Sequence, residues 1–162
     1  AEELGIRDQV TSMGRYVCRW EGHCAFWRTI ADCGMLKDEP VSVKGAQVNK
    51  ISYMTSLFSS DPQFFYGGNE QDVTLTRVDI KGTRDNKAAQ EIYQIIDKKD
   101  LASGYTSMTR TVGFVVSMGA IMLLDGTLGN GGMLSPVEMP FEKAKSELAK
   151  RNILITHQRI SS

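Results

Sequence analysis

SMTRTVGFVVSMGAIMLL, residues 107–124, is nearly all apolar or small, and it reads as a helix that must be buried on most of its sides. Its Met108, Met118 and Met122 read as core filler, because the unbranched thioether adapts to irregular gaps. Gly113 and Gly119 read as points of close backbone approach. The apolar run from Val112 to Leu124 is interrupted by Gly113, Ser117 and Gly119 and falls short of the ~20 residues that a bilayer requires. A membrane span is therefore not expected.

Working upstream, Asp72–Lys81 carries the β-branched string VTLTRVDI and ends at Gly82, with a polar turn through Asn86; this is the clearest strand. Ala88–Asp97 stays open between two readings. Ala88, Ala89, Ile92 and Ile96 suit a helix, while Glu91, Tyr93 and Ile95 alternate like a hairpin arm. Nearer the start, Glu21–Met35 spaces Ala25, Phe26, Ile30 and Cys33 as an amphipathic helix ended by Gly34, its apolar face directed to a core. KDEPVSVKGAQV follows as turn, strand, Gly-containing turn and strand, with Pro40 excluding helix. Ile51–Ser59 reads as a helix with Met54, Leu57 and Phe58 inward, stopping at the Asp61–Pro62 turn. QFFYGGNEQD is a loop.

Downstream of the long helix, the loop GTLGNGG leads to a short extended piece, then Pro140 opens a helix in which Phe141, Ala144 and Leu148 share a face. ILITHQRI alternates as a last strand. No repeat, low-complexity tract or linker separates these pieces, so one compact α+β unit is the economical reading.

The 162 residues carry 19 basic and 19 acidic side chains, 41% hydrophobic and 8% aromatic residues. That is one domain's worth of chain, and its balanced charge favours neither nucleic acid nor an anionic membrane as a partner. The first residues, AEELGIRDQV, lack the basic start and apolar stretch of a secretory signal, and a cytoplasmic location is expected. Cys18, Cys24 and Cys33 are odd in number and crowded together, which argues against a disulfide framework. With no paired CxxC beside His23, no metal is expected, and the cysteines read as buried and reduced.

Motifs for catalysis are scarce. No strand is followed by GxGxxG, and there is no P-loop, HExxH or nucleophile elbow. The glycine-rich loop Gly126–Gly132 follows a helix and lacks the strand-turn-helix setting that cradles phosphate. Two arginines stand out: Arg19 between Cys18 and Trp20, and Arg110 between Thr109 and Thr111. A guanidinium in an apolar setting needs an anion, either an internal carboxylate or a substrate carboxylate gripped bidentately.

RYVCRWEGHCAFWRTIADCGMLKDEPV, GGNEQDVTLTRVDIKG and GYTSMTRTVGFVVSMGAIMLLDGTLGNGGMLSPVEM, in this order, resemble the C-terminal domain of saccharopine dehydrogenases over most of Arg15–Ile155. The implied fold is α+β, an open mixed β-sheet with helices packed on one face, like the glyceraldehyde-3-phosphate dehydrogenase-like C-terminal domain. The resemblance also implies that Ala88–Asp97 is the partner strand of Asp72–Lys81.

In this family a Rossmann domain binds NAD or NADP, while the domain resembled here covers the substrate and forms much of a homodimer contact. A hydride moves from the secondary amine C–N bond of saccharopine to nicotinamide. The resemblance thus implies that residues 1–162 are a single substrate-binding and dimerisation domain of a larger two-domain oxidoreductase of lysine metabolism, inactive alone, with residues 107–162 facing the Rossmann domain. It places Arg19 at the arginine of the family's Leu-Arg-Tyr signature, a substrate carboxylate ligand, with Trp20 keeping the aromatic wall and Cys18 leaving a smaller one. Arg110 and Thr111 fall in the helix-start motif, where amides and a cation could receive an anion. No catalytic residue is assigned in this chain. A carboxynorspermidine dehydrogenase-like domain and a non-catalytic interaction module are the alternatives.

Overall fold

A computed structural model describes residues 2, 4–129 and 132–161. The chain forms two compact units, Ala1–Phe65 and Tyr66–Ser162, a finer division than the single unit read from the sequence. In the first unit, helix α1 (His23–Asp32) precedes a hairpin of β1 (Pro40–Val43) and β2 (Ala46–Asn49). Lys44 and Gly45 turn the hairpin with φ of 50° and 83°, the double left-handed conformation that matches strand twist and favours glycine. Asn49 caps helix α2 (Lys50–Ser60) by accepting the Ser52 amide at 3.0 Å, and Asp61 caps the 3₁₀ turn Pro62–Phe64.

The core of this unit is thinner than the sequence suggests. No residue of α1 is buried, Leu57 is exposed, and Met54 alone of the α2 residues is buried. Cys18, Cys24 and Cys33 are free thiols but exposed, not buried. What α1 packs is a half-covered aromatic cluster: Trp27 meets Phe26 and Phe58 edge-on at 5.3 and 5.6 Å, and Phe58 meets Phe64 at 4.6 Å. Edge-on rings use their quadrupoles and need only one side sheltered.

The second unit is built on a hairpin of β3 (Val73–Arg84) and β4 (Lys87–Lys98), paired from Val73↔Lys98 to Arg84↔Lys87. Asp85 and Asn86 close it with φ of 51° and 60°, so Ala88–Asp97 is the partner strand and not a helix. β5 (Thr156–Ser161) adds to the other side of β4, giving the order β3-β4-β5. The fold is α+β as expected, with every pair antiparallel where a mixed sheet was expected: two-residue turns join β1 to β2 and β3 to β4, which forces those pairs antiparallel, and β5 returns antiparallel to β4 after α3 and α4.

Helix α3 (Ser107–Leu124) and helix α4 (Phe141–Ala149) cover one face of this sheet. Arg110, Phe114, Met118 and Met122 recur every fourth residue, and this stripe makes the inward face of α3. Met118, Met122, Leu128, Leu148 and Ile153 form the buried core, with Ile95, Phe114 and Ala144 against it. The Leu128 amide donates to the Met122 carbonyl at 3.0 Å, which folds the glycine-rich loop back under the helix; Asn130 and Gly131 of that loop lie outside the described residues. The expected extended piece is a 3₁₀ turn, Pro136–Glu138, closed by a reciprocal Ser135–Glu138 capping box, and Pro140 stands just before α4 as its N-cap residue.

The expectation that α3 is buried on most sides does not hold. Met108, Val112, Val116 and Leu124 on its far side are 54–89% exposed, and by length and composition alone the helix is long and apolar enough to cross a membrane. Nor do its glycines serve close backbone approach. A Cβ on Gly113 would meet nothing within 4 Å, and one on Gly119 only the tip of Met139 at 3.9 Å. Gly113→Ala therefore raises stability by roughly 0.5–1 kcal/mol, whereas Met122→Ala, at a fully buried position, lowers it by about 2–5 kcal/mol. Urea denaturation of both variants beside the parent protein checks the two signs.

Candidate functional site

Arg110, in the first turns of α3, has its charge neutralised from within. Its Nε donates to Asp97 Oδ2 at 2.9 Å and its Nη2 to Asp97 Oδ1 at 3.2 Å and to the Arg151 carbonyl at 3.0 Å. Nη1 faces Asp100 at 3.8 Å, and the guanidinium lies 5.6 Å over the Phe114 ring. Arg110 and Asp97 are 8% and 6% exposed, so the pair is desolvated and its bidentate fork fixes direction as well as charge. An open depression of about 350 Å³ lies beside it, lined by Ile96, Asp97, Lys98, Asp100, Arg110 and Asn152. The Ser103 hydroxyl and the Ala102 amide, with a lesser contribution from Arg110, hold Asp100 below the usual carboxylate range against the opposing effect of burial. Thr111, next along the helix, spends its hydroxyl on the Ser107 carbonyl at 2.8 Å.

The helix start is occupied as well. Asp72 accepts the Ser107 amide at 2.8 Å, the Ser107 hydroxyl at 2.7 Å and the Met108 amide at 3.2 Å, while Thr106 Oγ1 accepts the Thr109 amide at 3.1 Å. The Thr74 hydroxyl closes the network by donating to Ser107 at 2.7 Å. Partial burial pushes the Asp72 carboxyl up, but the Ser107 and Met108 hydrogen bonds outweigh it and leave the group below its ordinary value. A helix N-terminus is an anion site, and here the anion is the chain's own Asp72. Arg110 Nε and Nη2, the Thr111 hydroxyl and the Ser107 and Met108 amides thus all have partners within the chain.

Arg19 and Trp20 sit together in the segment before α1, in the first unit. Trp20 is 88% exposed and its carbonyl accepts the His23 amide at 3.2 Å, which turns the chain into the helix. Arg19 is exposed, and Nη1 donates to the Cys18 carbonyl at 2.9 Å. Among the described residues no carboxylate pairs with it. The four residues singled out by sequence thus fall into two pairs of different character: Arg110 and Thr111 internally satisfied, Arg19 and Trp20 open.

Sequence reading missed Asp97, Asp72 and Ser107, and also a charged centre on the sheet. Glu91 accepts from His157 at 2.5 Å, Arg159 at 2.6 Å and Arg84 at 3.3 Å, and His157 stacks on Tyr93 at 4.4 Å. The His157 contact foremost, then Arg159, lowers the Glu91 carboxyl despite some desolvation. No group of three or more His, Cys, Asp or Glu side chains among the described residues is placed to hold a metal ion.

Removing one partner of the buried pair strands the other. Asp97→Ala costs roughly 3–5 kcal/mol in urea denaturation, and the double variant Asp97→Leu/Arg110→Met recovers most of that loss. For Asp72 the folded pKa is depressed, so its stabilisation is present above the unfolded value of about 3.9 and is lost as pH falls through the folded value. Asp72→Ala then costs about 0.5–2 kcal/mol at pH 7, and the gap from the parent protein narrows as the denaturation is repeated at successively lower pH below the unfolded value of about 3.9.

Three comparisons bear on this arrangement. The sequence model of the saccharopine dehydrogenase C-terminal domain matches residues 1–153. An alpha-aminoadipic semialdehyde synthase of Arabidopsis thaliana is 25% identical over 93 residues, which is 55% of this chain and 9% of that protein. Among solved structures, apo saccharopine dehydrogenase (L-Glu forming) from Saccharomyces cerevisiae superposes with a TM-score of 0.56 at 21% identity, over 88% of this chain and 32% of the yeast chain. The chain thus spans about a tenth of the plant protein and a third of the yeast one. It belongs to the family of the saccharopine dehydrogenase C-terminal domain.

Proposed function

We propose that this chain is the substrate-binding and dimerisation part of a cytoplasmic, saccharopine dehydrogenase-like oxidoreductase of lysine metabolism, a homodimer acting on saccharopine or a similar amino-acid adduct. The observation that carries the reading, beyond family membership, is Arg19: an exposed guanidinium without a carboxylate partner among the described residues, beside the open indole of Trp20. A substrate with several carboxylates suits such a group, which can bind bidentately without first releasing an internal anion. Arg110 and Thr111, in the second unit, hold α3 in place through Asp97 and the Ser107 carbonyl.

Among the described residues, the glycine-rich loop leaves the C-terminal end of α3, the negative end of the helix dipole, which disfavours phosphate. NAD or NADP, which accepts the hydride in the proposed reaction, is accordingly assigned to a Rossmann domain outside this chain.

The test is nicotinamide reduction by the full-length protein with saccharopine as sole substrate, with NAD and NADP in turn. Turnover is expected, and Arg19→Ala raises KM about tenfold or more, the value of one charge-assisted contact, with an unchanged circular dichroism spectrum because the residue is exposed. Silence from a folded, cofactor-binding protein, or an unchanged KM in the variant, overturns the reading.

A further inference from the structure

Of the two free edges of the three-stranded sheet, β3 and β5, the β3 edge is the longer backbone surface without a partner among the described residues. β3 is 12 residues long and ends the order β3-β4-β5, and no backbone hydrogen bond leaves it except toward β4. Leu75, Val78 and Ile80 on it are 54%, 49% and 54% exposed. Edges of this length and apolarity invite another strand unless blunted.

The geometry of the turn says which groups are free. In a two-residue hairpin with both turn residues left-handed, the flanking pair exchanges both hydrogen bonds. Here that pair is Arg84↔Lys87, so even-numbered residues of β3 bond to β4. The odd-numbered ones, Val73, Leu75, Arg77, Asp79, Lys81 and Thr83, point their amides and carbonyls outward.

We infer that β3 pairs antiparallel with β3 of a second copy of this chain, about a two-fold axis at Val78, to make one continuous sheet across the homodimer. In that register Arg77 faces Asp79 of the second copy, and Asp79 faces its Arg77, each within a hydrogen-bonded pair of odd residues. Leu75 lies against the aliphatic stem of Lys81, and Val78 faces its own copy in a non-hydrogen-bonded pair. An axis at Arg77 or at Asp79 would set like charges opposite, which disfavours it. An axis at Ile80 also opposes unlike charges, Asp79 with Lys81, but runs the far end of the strand past the turn and shortens the ladder. The order Arg77-Val78-Asp79 is self-complementary, as a two-fold, isologous contact requires; within one chain Arg77 Nη2 donates to Asp79 Oδ2 at 3.2 Å and Gln90 to Asp79 Oδ1 at 2.7 Å, so the contact exchanges a solvent-accessible pair within the strand for one across the axis. This inference rests on the homodimer in the proposed function and names its interface.

The experiment uses the full-length protein with Cys18, Cys24 and Cys33 replaced by Ser. In a non-hydrogen-bonded pair the Cβ atoms come close enough for a disulfide, so oxidised Val78→Cys runs as a linked dimer on a non-reducing gel while Ile80→Cys does not. By sedimentation equilibrium, Arg77→Asp or Asp79→Arg alone raises the dimer Kd about tenfold. The double exchange returns it to within about twofold of the parent. A dimer that resists both single variants and gives no Val78 link overturns the β3 interface and leaves the homodimer reading standing. Linkage through Ile80→Cys overturns this register. A monomer overturns both.

Discussion

The start of α3 is fastened to the sheet by charge, and the second unit depends on that fastening. A helix as apolar as Ser107–Leu124 gains from burial at almost any angle, since apolar contact has no direction. Asp72 on the helix amides and Asp97 on Arg110 supply the direction. They fix which stripe faces inward, and Phe114, Met118 and Met122 then reach the core because they lie at helical intervals from Arg110. Each carboxylate is spent in the process. The same two contacts that orient the helix also supply anions to its N-terminal amides and to its buried arginine.

What could be read from the sequence divides along the range of the interactions involved. The Gly-containing turn after Val43, the polar turn through Asn86, the strand read over Asp72–Lys81 and the Asp61–Pro62 turn are local, and the residue types announce them. Ala88–Asp97 was open because its apolar residues satisfy both periods, and the resemblance to a family resolved it before the hairpin pairing did. The burial of α1 and α3 was overestimated for a different reason. Composition reports a helix's affinity for apolar contact, but not how much of that contact lies within the same chain, and the 162 residues cover only one side of α3. The exposed thiols of Cys18, Cys24 and Cys33 follow the same thinness of the first unit.

The site was legible only as a pair of alternatives. An arginine flanked by threonines on an apolar helix needs an anion, and sequence could not choose between an inner and an outer one. The choice is made by Asp97, 13 residues away on β4, and by Asp72, 35 residues before Ser107. Contacts of this span leave no period and no motif. Arg19 posed the same alternatives, and among the described residues it has the neighbouring Cys18 carbonyl and no carboxylate.

That contrast decides what each arginine can do. Through Nε and Nη2, Arg110 could take another carboxylate only by releasing Asp97 and leaving it buried and unpaired, at a cost above what the new contact returns. Arg19 faces no such exchange, but an ion pair made in open water is worth only about 0–1 kcal/mol, too little to hold a substrate in register for hydride transfer. A firm grip requires that water be excluded from Arg19 and Trp20 once the substrate is seated, because the same contact strengthens severalfold as the local dielectric falls. On the proposed reading, an exposed clamp is therefore half of a site. Its strength depends on the surface that closes over it, and so do substrate affinity and the timing of chemistry.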